Sequence, residues 1–374
     1  MSGRSRSRTI FNAHAGDERQ TSMTSKERFL AMFQHREADR VPIIDSPWGS
    51  TIERWRREGL PEKADVAQFF GYELTGNVFT DNSPQYPSKV IEETDEYVIA
   101  TSPWGATLKN WKHKTSVPDF LDFRIVDRDS WAEAKARMTP TPDRVNWKYL
   151  EENYPKWQKD GAWICAHGWF GYDPFASWIV GTVRMLTAMV EDPDWVRDII
   201  NHALDVQLAL LTMVWDKGCR FDCFVHPDDL GYRNGLFFSP QTFREVVKPA
   251  HKRAYHWMHE RGVFTMMHSC GNIMAIIPDL IDAGLNALNP IETKAGMDLV
   301  AIKKQYGDKL VLQGGIDVRK MSKPAEIEDE IRTKITAAKQ NGGYVYHSDH
   351  SVPDDVSFEN YKRVIGLVRK YGAY

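Results

Sequence analysis

Residues 264–272 read FTMMHSCGN. A short apolar run, Phe264-Thr265-Met266-Met267, ends in His268, Ser269, Cys270, Gly271 and Asn272. An apolar run of this length, closed by a glycine, has the form of a buried strand with a polar C-terminal end. Residues two apart on a strand share a face, so His268 and Cys270 are expected to point to the same side.

The same form recurs on both sides of this stretch. AWICAHGW (162–169) and DCFVHPDD (222–229) precede it, and ALNPIE (287–292), KLVLQGG (309–315) and YVYHSDH (344–350) follow. Helical patterns over 185–217, 240–261, 273–283, 297–306, 324–341 and 357–371 fill the gaps. Strands that alternate with helices imply βαβ units and a parallel sheet. With an early apolar strand at DRVPIID (39–45) the strand count approaches eight. No GxGxxG follows the first strand, so the expected fold is an α/β class (β/α)8 barrel, not an open doubly wound sheet. Its active-site cleft is expected at the C-terminal strand ends.

The 374 residues divide into a polar, basic tail (1–22) and one barrel domain (23–374). Residues 46–160 are rich in Trp and Pro, carry PWG at 47–49 and 103–105, and read as an insertion with a hairpin near Tyr97-Val98-Ile99-Ala100. A helix capped by Thr24 through Glu27 opens the domain. At 42% hydrophobic residues the chain can bury a large core. A net charge of -3 gives no basic excess for a nucleic-acid or membrane partner. Cys165, Cys219, Cys223 and Cys270 are too few for a disulfide framework at this length. Neither a secretory h-region nor an eighteen-residue apolar run is present, so a cytoplasmic protein is expected.

Polar residues collect at the expected strand ends: His226-Pro227-Asp228-Asp229, His268-Ser269-Cys270, Asn289-Pro290-Ile291-Glu292, Gln313 and His347-Ser348-Asp349-His350. An imidazole and a thiolate aimed at one point form half of a zinc site, and a further ligand from another strand would leave a position open for substrate. His347, Asp349 and His350 are the candidates; alternation favours the first two. The plain alternative for His268 and Cys270 is a hydrogen-bonded core histidine beside an inert thiol. Asp229, Glu292 and His347 are expected as acid–base groups. His226, Asp228, Asn289 and Gln313, with Tyr172 and Trp178 from the loop after AWICAHGW, are expected to bind a small-molecule substrate; Asp173 stands beside them. Cys165 and the Cys219-x3-Cys223 pair read as packing.

Glu27-Arg28-Phe29, Asp39-Arg40-Val41-Pro42, the DPDW at 192–195, FFSP with QTFRE and Pro249, HSCGN and the closing Ser351-Val352-Pro353 together resemble the uroporphyrinogen decarboxylase superfamily over about residues 23–372. The resemblance implies a (β/α)8 barrel. The superfamily's decarboxylases hold substrate carboxylates with paired arginines after the first strand. Here that segment reads Asp45-Ser46-Pro47-Trp48-Gly49, without them. The other branch, the cobalamin-dependent methyltransferases, holds zinc on a His-x-Cys that His268 and Cys270 match, with a ligand near the closing proline, where His350 stands. The resemblance thus implies a zinc-dependent methyltransferase or demethylase that moves a methyl group between a small substrate and a corrinoid on a separate protein. A homodimer is expected by the same analogy. The alternatives are a cofactor-free carboxy-lyase acting on a carboxylic acid and a non-catalytic protein that binds a tetrapyrrole or corrinoid.

Overall fold

The architecture was analysed in a computed structural model that describes residues 23–113 and 116–374; the tail expected over 1–22 lies outside them. Thirteen strands follow one another along the described chain. They are β1 (Thr75–Val78), β2 (Val90–Glu93), β3 (Tyr97–Thr101), β4 (Ala106–Trp111), β5 (Asp119–Phe123), β6 (Trp163–His167), β7 (Cys223–Pro227), β8 (Gly231–Tyr232), β9 (Gly235–Leu236), β10 (Phe264–His268), β11 (Ala287–Asn289), β12 (Val311–Gln313) and β13 (Tyr344–Val345). One curled parallel sheet takes the order β1-β6-β7-β10-β11-β12-β13, and helices connect its strands. β2–β5 form a separate antiparallel sheet inside the expected insertion, and β8–β9 form a small hairpin.

Strict alternation sorts the parallel strands into two faces. Trp163, Cys165, Cys223, Ala287, Val311 and Val345 share one cluster inside the curl. Ile164, Phe224, Met267, Leu288, Leu312 and Tyr344 belong to the layer packed under the surrounding helices. The helix Ser25–Phe33 closes the floor of the curl. It starts at the expected capping box of Thr24 and Glu27. Phe29 and Phe33 stack on Trp163 at 5.4 and 5.3 Å, and Phe33 reaches Phe264 at 5.0 Å. Burying one such ring contributes about 1.5–3 kcal/mol.

The strand expected at 39–45 is realised as isolated bridges, among them the parallel pair Ile43 and Tyr346. Pro42 and Pro47 have no N–H to donate, which breaks a regular ladder there. Its polar contacts are nonetheless dense. The buried Asp45 accepts hydrogen bonds from Tyr346 Oη (3.2 Å), Tyr361 Oη (2.7 Å) and the Ser348 hydroxyl.

The helix expected over 185–217 is two helices, Thr182–Glu191 and Pro193–Asp216. Asp192 precedes a proline and is therefore pushed out of helical geometry. It takes φ -145° and caps Trp195 instead. No helix among the described residues is long and apolar enough to cross a membrane.

Candidate metal centre

At the C-terminal edge of the sheet the inward register continues past the apolar layer. Met266 pairs with Val225 and His268 with Pro227 across β10 and β7. One alternation further on, Asp229 and Cys270 fall on the same side. The ligand atoms of Asp229, His268 and Cys270 all lie within 4.8 Å of one another. Cys270 Sγ is 3.5 Å from His268 Nε2, and Asp229 Oδ1 is 3.8 Å from the same nitrogen.

Each of the three is held by a neighbour. His268 Nδ1 is 2.6 Å from Asn289 Oδ1. An amide oxygen only accepts, so Nδ1 carries a proton there and the ring is turned with Nε2 toward Cys270 and Asp229. The Asn289 amide nitrogen in turn donates to the Gln313 carbonyl (3.3 Å). Asp229 accepts from the Cys270 N–H at 2.7 Å, which ties the strand end of β7 to that of β10. Gly271 adopts φ +80°, and a Cβ there would meet the Gly231 carbonyl carbon at 2.2 Å. Only glycine serves at that position of HSCGN.

The electrostatics are those of a site with too much negative charge. Burial, followed by the neighbouring Asp229, pushes the Asp173 carboxyl up to about 7. Burial also raises Asp229, against the pull of His268. The Cys270 thiol is pushed well up by burial and by Asp229 and Glu292. Glu292 is buried, accepts from the Gly271 N–H and is paired with Lys294 at 2.9 Å.

The remaining expected residues take varied places. His347 faces inward by alternation, but its ring is engaged by the Ser348 carbonyl (2.6 Å) and Ser46 Oγ (3.3 Å). Asp349 is buried and accepts from the Thr293 and Val318 N–H groups, both at 3.0 Å, joining two loops. His350 is half-buried, with its ring 6.2 Å from Trp48; burial and Lys294 push it down while Glu292 opposes. None of these three stands in the ligand cluster. His226 and Asp228 sit on the opposite register and are fully buried. His226 lies 2.7 Å from Tyr255 Oη and stacks on Phe170. Asp228 accepts from the Asp173 N–H (2.7 Å) and faces His251 Nε2 (2.8 Å). These two are therefore in the layer between sheet and helices. Tyr172 is buried against Phe238, and Trp178 packs edge-on to Phe120 beneath the antiparallel sheet.

Two neighbours went unremarked in the sequence. His167 ends β6 on the inward face; its Nε2 is 2.8 Å from Asn77 Oδ1, and burial lowers it to about 4. Phe79, over half exposed, stacks on that ring at 4.5 Å. The alternation that exposed His268 would have found His167 too, since both end an apolar strand.

The uroporphyrinogen decarboxylase (URO-D) family model matches residues 175–371, more than half of the chain. The chain belongs to that family. Among curated proteins it is similar to the methylcobamide:CoM methyltransferase MtaA of Methanosarcina barkeri, with 29% identity over 180 residues, 47% of this chain and 50% of the relative. The protein of the same name from strain Fusaro is 24% identical over the same shares. The chain thus spans about half the length of the curated relatives it matches. A solved methyltransferase from Methanosarcina mazei superposes with a TM-score of 0.63 at 16% identity, covering 94% of this chain and 99% of that one, which shows a common fold.

Proposed function

We propose that the protein is a zinc-dependent methyltransferase or demethylase that moves a methyl group between a small substrate and a corrinoid carried by a separate protein. The observation that carries this reading is the convergence of His268 Nε2, Cys270 Sγ and the Asp229 carboxylate at the sheet's C-terminal edge. A tetrahedral zinc with bonds of about 2.0–2.3 Å has ligand-to-ligand edges of about 3.3–3.8 Å. The 3.5 Å between Cys270 Sγ and His268 Nε2 suits that geometry, and Asp229 Oδ1, at 3.8 Å from the same nitrogen, would close in by a few tenths of an ångström on binding. The donor set, nitrogen, sulfur and oxygen, suits zinc as well. Three protein ligands leave a fourth position for substrate. Bound there, zinc would supply a Lewis acid that activates the heteroatom giving or taking the methyl group.

The chain's own residues would do the rest. Asn289 holds the His268 ring so that Nε2 faces the ion. Asp229 stands as third ligand in place of the expected His350, which remains at the rim beside Glu292 and Lys294. Asp173 stands in the field of Asp229. Its raised carboxyl suits a proton store at neutral pH. The family resemblance to named methyltransferases supports the reaction class. Sheet β1-β6-β7-β10-β11-β12-β13 with the Ile43–Tyr346 bridge supports a closed eight-membered barrel, in which residues 41–45 are the last stave.

The test is metal content and methyl transfer together. The wild-type chain is expected to retain about one equivalent of zinc, and Cys270→Ala and Asp229→Asn to lose it. Methylcobalamin with a panel of thiols, amines and alcohols, followed by the cobalamin absorbance, reads the transfer. Unchanged zinc in Cys270→Ala would end the metal claim.

A further inference from the structure

Residues 340–343 lead into β13 at the end of the sheet opposite Cys270. There a cavity of about 520 Å³ is lined by residues of the helices Leu299–Tyr306 and Pro324–Ala338 and by His35; Lys303, Lys304 and Asp308 are among them. The volume lies within the range of about 300–1,000 Å³ seen in small-molecule sites. Lys303 belongs to the last turn of its helix. Its stem folds over Gly307, where a Cβ would meet Lys303 Cδ at 2.4 Å. The amine thereby reaches the Gly342 carbonyl at 2.5 Å.

Other partly buried lysines of the chain are neutralised. Lys248 meets Asp279 at 2.9 Å and Asp282 at 2.8 Å, and Lys334 meets Glu330. Lys303 forms no ion pair among the described residues. An ammonium carries three N–H groups, and one carbonyl satisfies one of them. Burial accordingly lowers Lys303 from the ordinary 10.5 to about 8. A free amine so held is a nucleophile. The His35 ring stands across from it: a Cβ on Gly343 would lie 2.8 Å from His35 Nδ1 and 3.3 Å from Lys303 Nζ. That Nδ1 is buried without a hydrogen-bond partner. Burial, followed by Lys303, lowers His35 against the pull of Asp308, which keeps the ring neutral at pH 7. His35 also takes φ +50° just after the first helix, a position that favours glycine. Strain retained at such a position points to a side chain in use.

We propose that Lys303 is a modification site, whose amine takes a short acyl group from an acyl thioester entering this cavity, with His35 as the proton acceptor. The Nζ lone pair attacks the thioester carbonyl. The C–N bond forms, the C–S bond breaks, and the thiolate leaves with the electron pair. The amine's surplus proton passes to His35 Nδ1 and from there to solvent, where the thiolate takes one up. The product is an amide with a single N–H, and the Gly342 carbonyl satisfies it as it does the free amine. The modified side chain therefore leaves no buried donor unpaired. This site lies apart from the metal centre and does not depend on the function proposed above.

The test is a time course of the full chain with N,S-diacetylcysteamine, a small acetyl thioester, read lysine by lysine by peptide mass spectrometry. Near neutral pH, Lys303 is expected to be acetylated roughly tenfold faster than the median lysine, because far more of it is free amine. Lys248 and Lys334, partly buried and paired with carboxylates, are the internal controls and should react no faster than that median. The rate at Lys303 should reach half its maximum near pH 8, where an ordinary lysine is still rising toward 10.5. His35→Asn tolerates the left-handed backbone and should slow Lys303 at least about fivefold through loss of the base, with the melting temperature and the other lysines unchanged. Acetylation of Lys303 at or below the median rate would overturn the proposal, and so would a rate midpoint near 10.5. A wild-type rate at Lys303 in His35→Asn would overturn the proton route through His35.

Discussion

The floor and the mouth of the curled sheet bury the same kinds of side chain and treat them differently. At the floor the Arg28 guanidinium, 5% exposed, binds Asp39 through Nε and Nη2 at 2.7 Å each and Glu73 through Nη1 at 2.7 Å. Arg40 closes the set on the other Glu73 oxygen at 2.6 Å. Two cations meet two carboxylates, and Glu73 also accepts from Ser25 Oγ (2.8 Å) and the Ile43 N–H (3.3 Å). At the mouth burial pushes both the Asp173 and the Asp229 carboxyls up, with Asp229 and Asp228 adding to that at Asp173 and Asp228 and Glu292 to that at Asp229. The floor is electrostatically complete within the chain. The mouth is not, and a divalent cation would complete it.

The contrast also explains two sequence motifs. Glu27-Arg28-Phe29 and Asp39-Arg40-Val41-Pro42 carry the floor network, which fastens the capped first helix to residues 39–43 and to Glu73 ahead of β1. HSCGN carries the mouth: an imidazole, a backbone donor, a thiol and a glycine that must take a left-handed conformation.

The largest effect should come from breaking the floor. Arg28→Ala leaves Glu73 buried with its principal charge partner gone, and removal of one member of a buried pair costs about 3–5 kcal/mol. Urea unfolding should show that loss, and zinc retention at 4 °C should be unaffected in the fraction that folds. If Arg28→Ala cost less than about 1 kcal/mol, as an exposed pair does, the view of the floor as a closed network would fail.

A smaller effect should come from loosening the mouth. Asn289→Ala removes the acceptor that fixes His268 Nδ1, and loss of such an outer partner typically lowers metal affinity about 10- to 100-fold. Competition with a zinc chelator measures it. Asn289→Asp keeps an acceptor and should lose little. Equal losses in the two variants would mean that Asn289 acts through packing and not through the ring it orients.

How much of this was legible in the sequence depends on the range of the signal. Period-two alternation is local, so the parallel strands and the common face of His268 and Cys270 could be read directly. The carboxylate that joins the pair needed the register between β7 and β10. Pro227 opposite His268 places Asp229 beside Cys270, but pairing between strands some forty residues apart is not written in either strand alone. Aligning on the closing proline singled out His350, which stands outside the cluster of Asp229, His268 and Cys270. Asp228 and Asp229 were both expected at the cleft, one to bind substrate and one as an acid–base group, yet one faces the helices and the other faces the centre, which is what a one-residue step on a strand does. The break at Asp192 was legible, since Pro193 follows it; the four-stranded sheet β2–β5 was visible only as a single hairpin, because its half-exposed strands alternate weakly.

The subtlest prediction concerns the excess charge itself. Asp173 has its carboxyl at about 7 in the folded, metal-free chain, against a usual value of 3.8, through burial and then Asp229. Between those values the folded state holds a proton that the unfolded state has released. Stability from this group is therefore fully present below about pH 4 and is lost as pH rises through about 7. Asp173→Asn removes the titrating group. The wild type minus variant difference in urea midpoint should fall steadily over that window and level off above it. Zinc should lower the pH at which the fall occurs, because a cation nearby favours the charged carboxylate. A difference that is flat with pH in the metal-free protein would show that the mouth is as well compensated as the floor, and the contrast between the two regions would then be one of exposure alone.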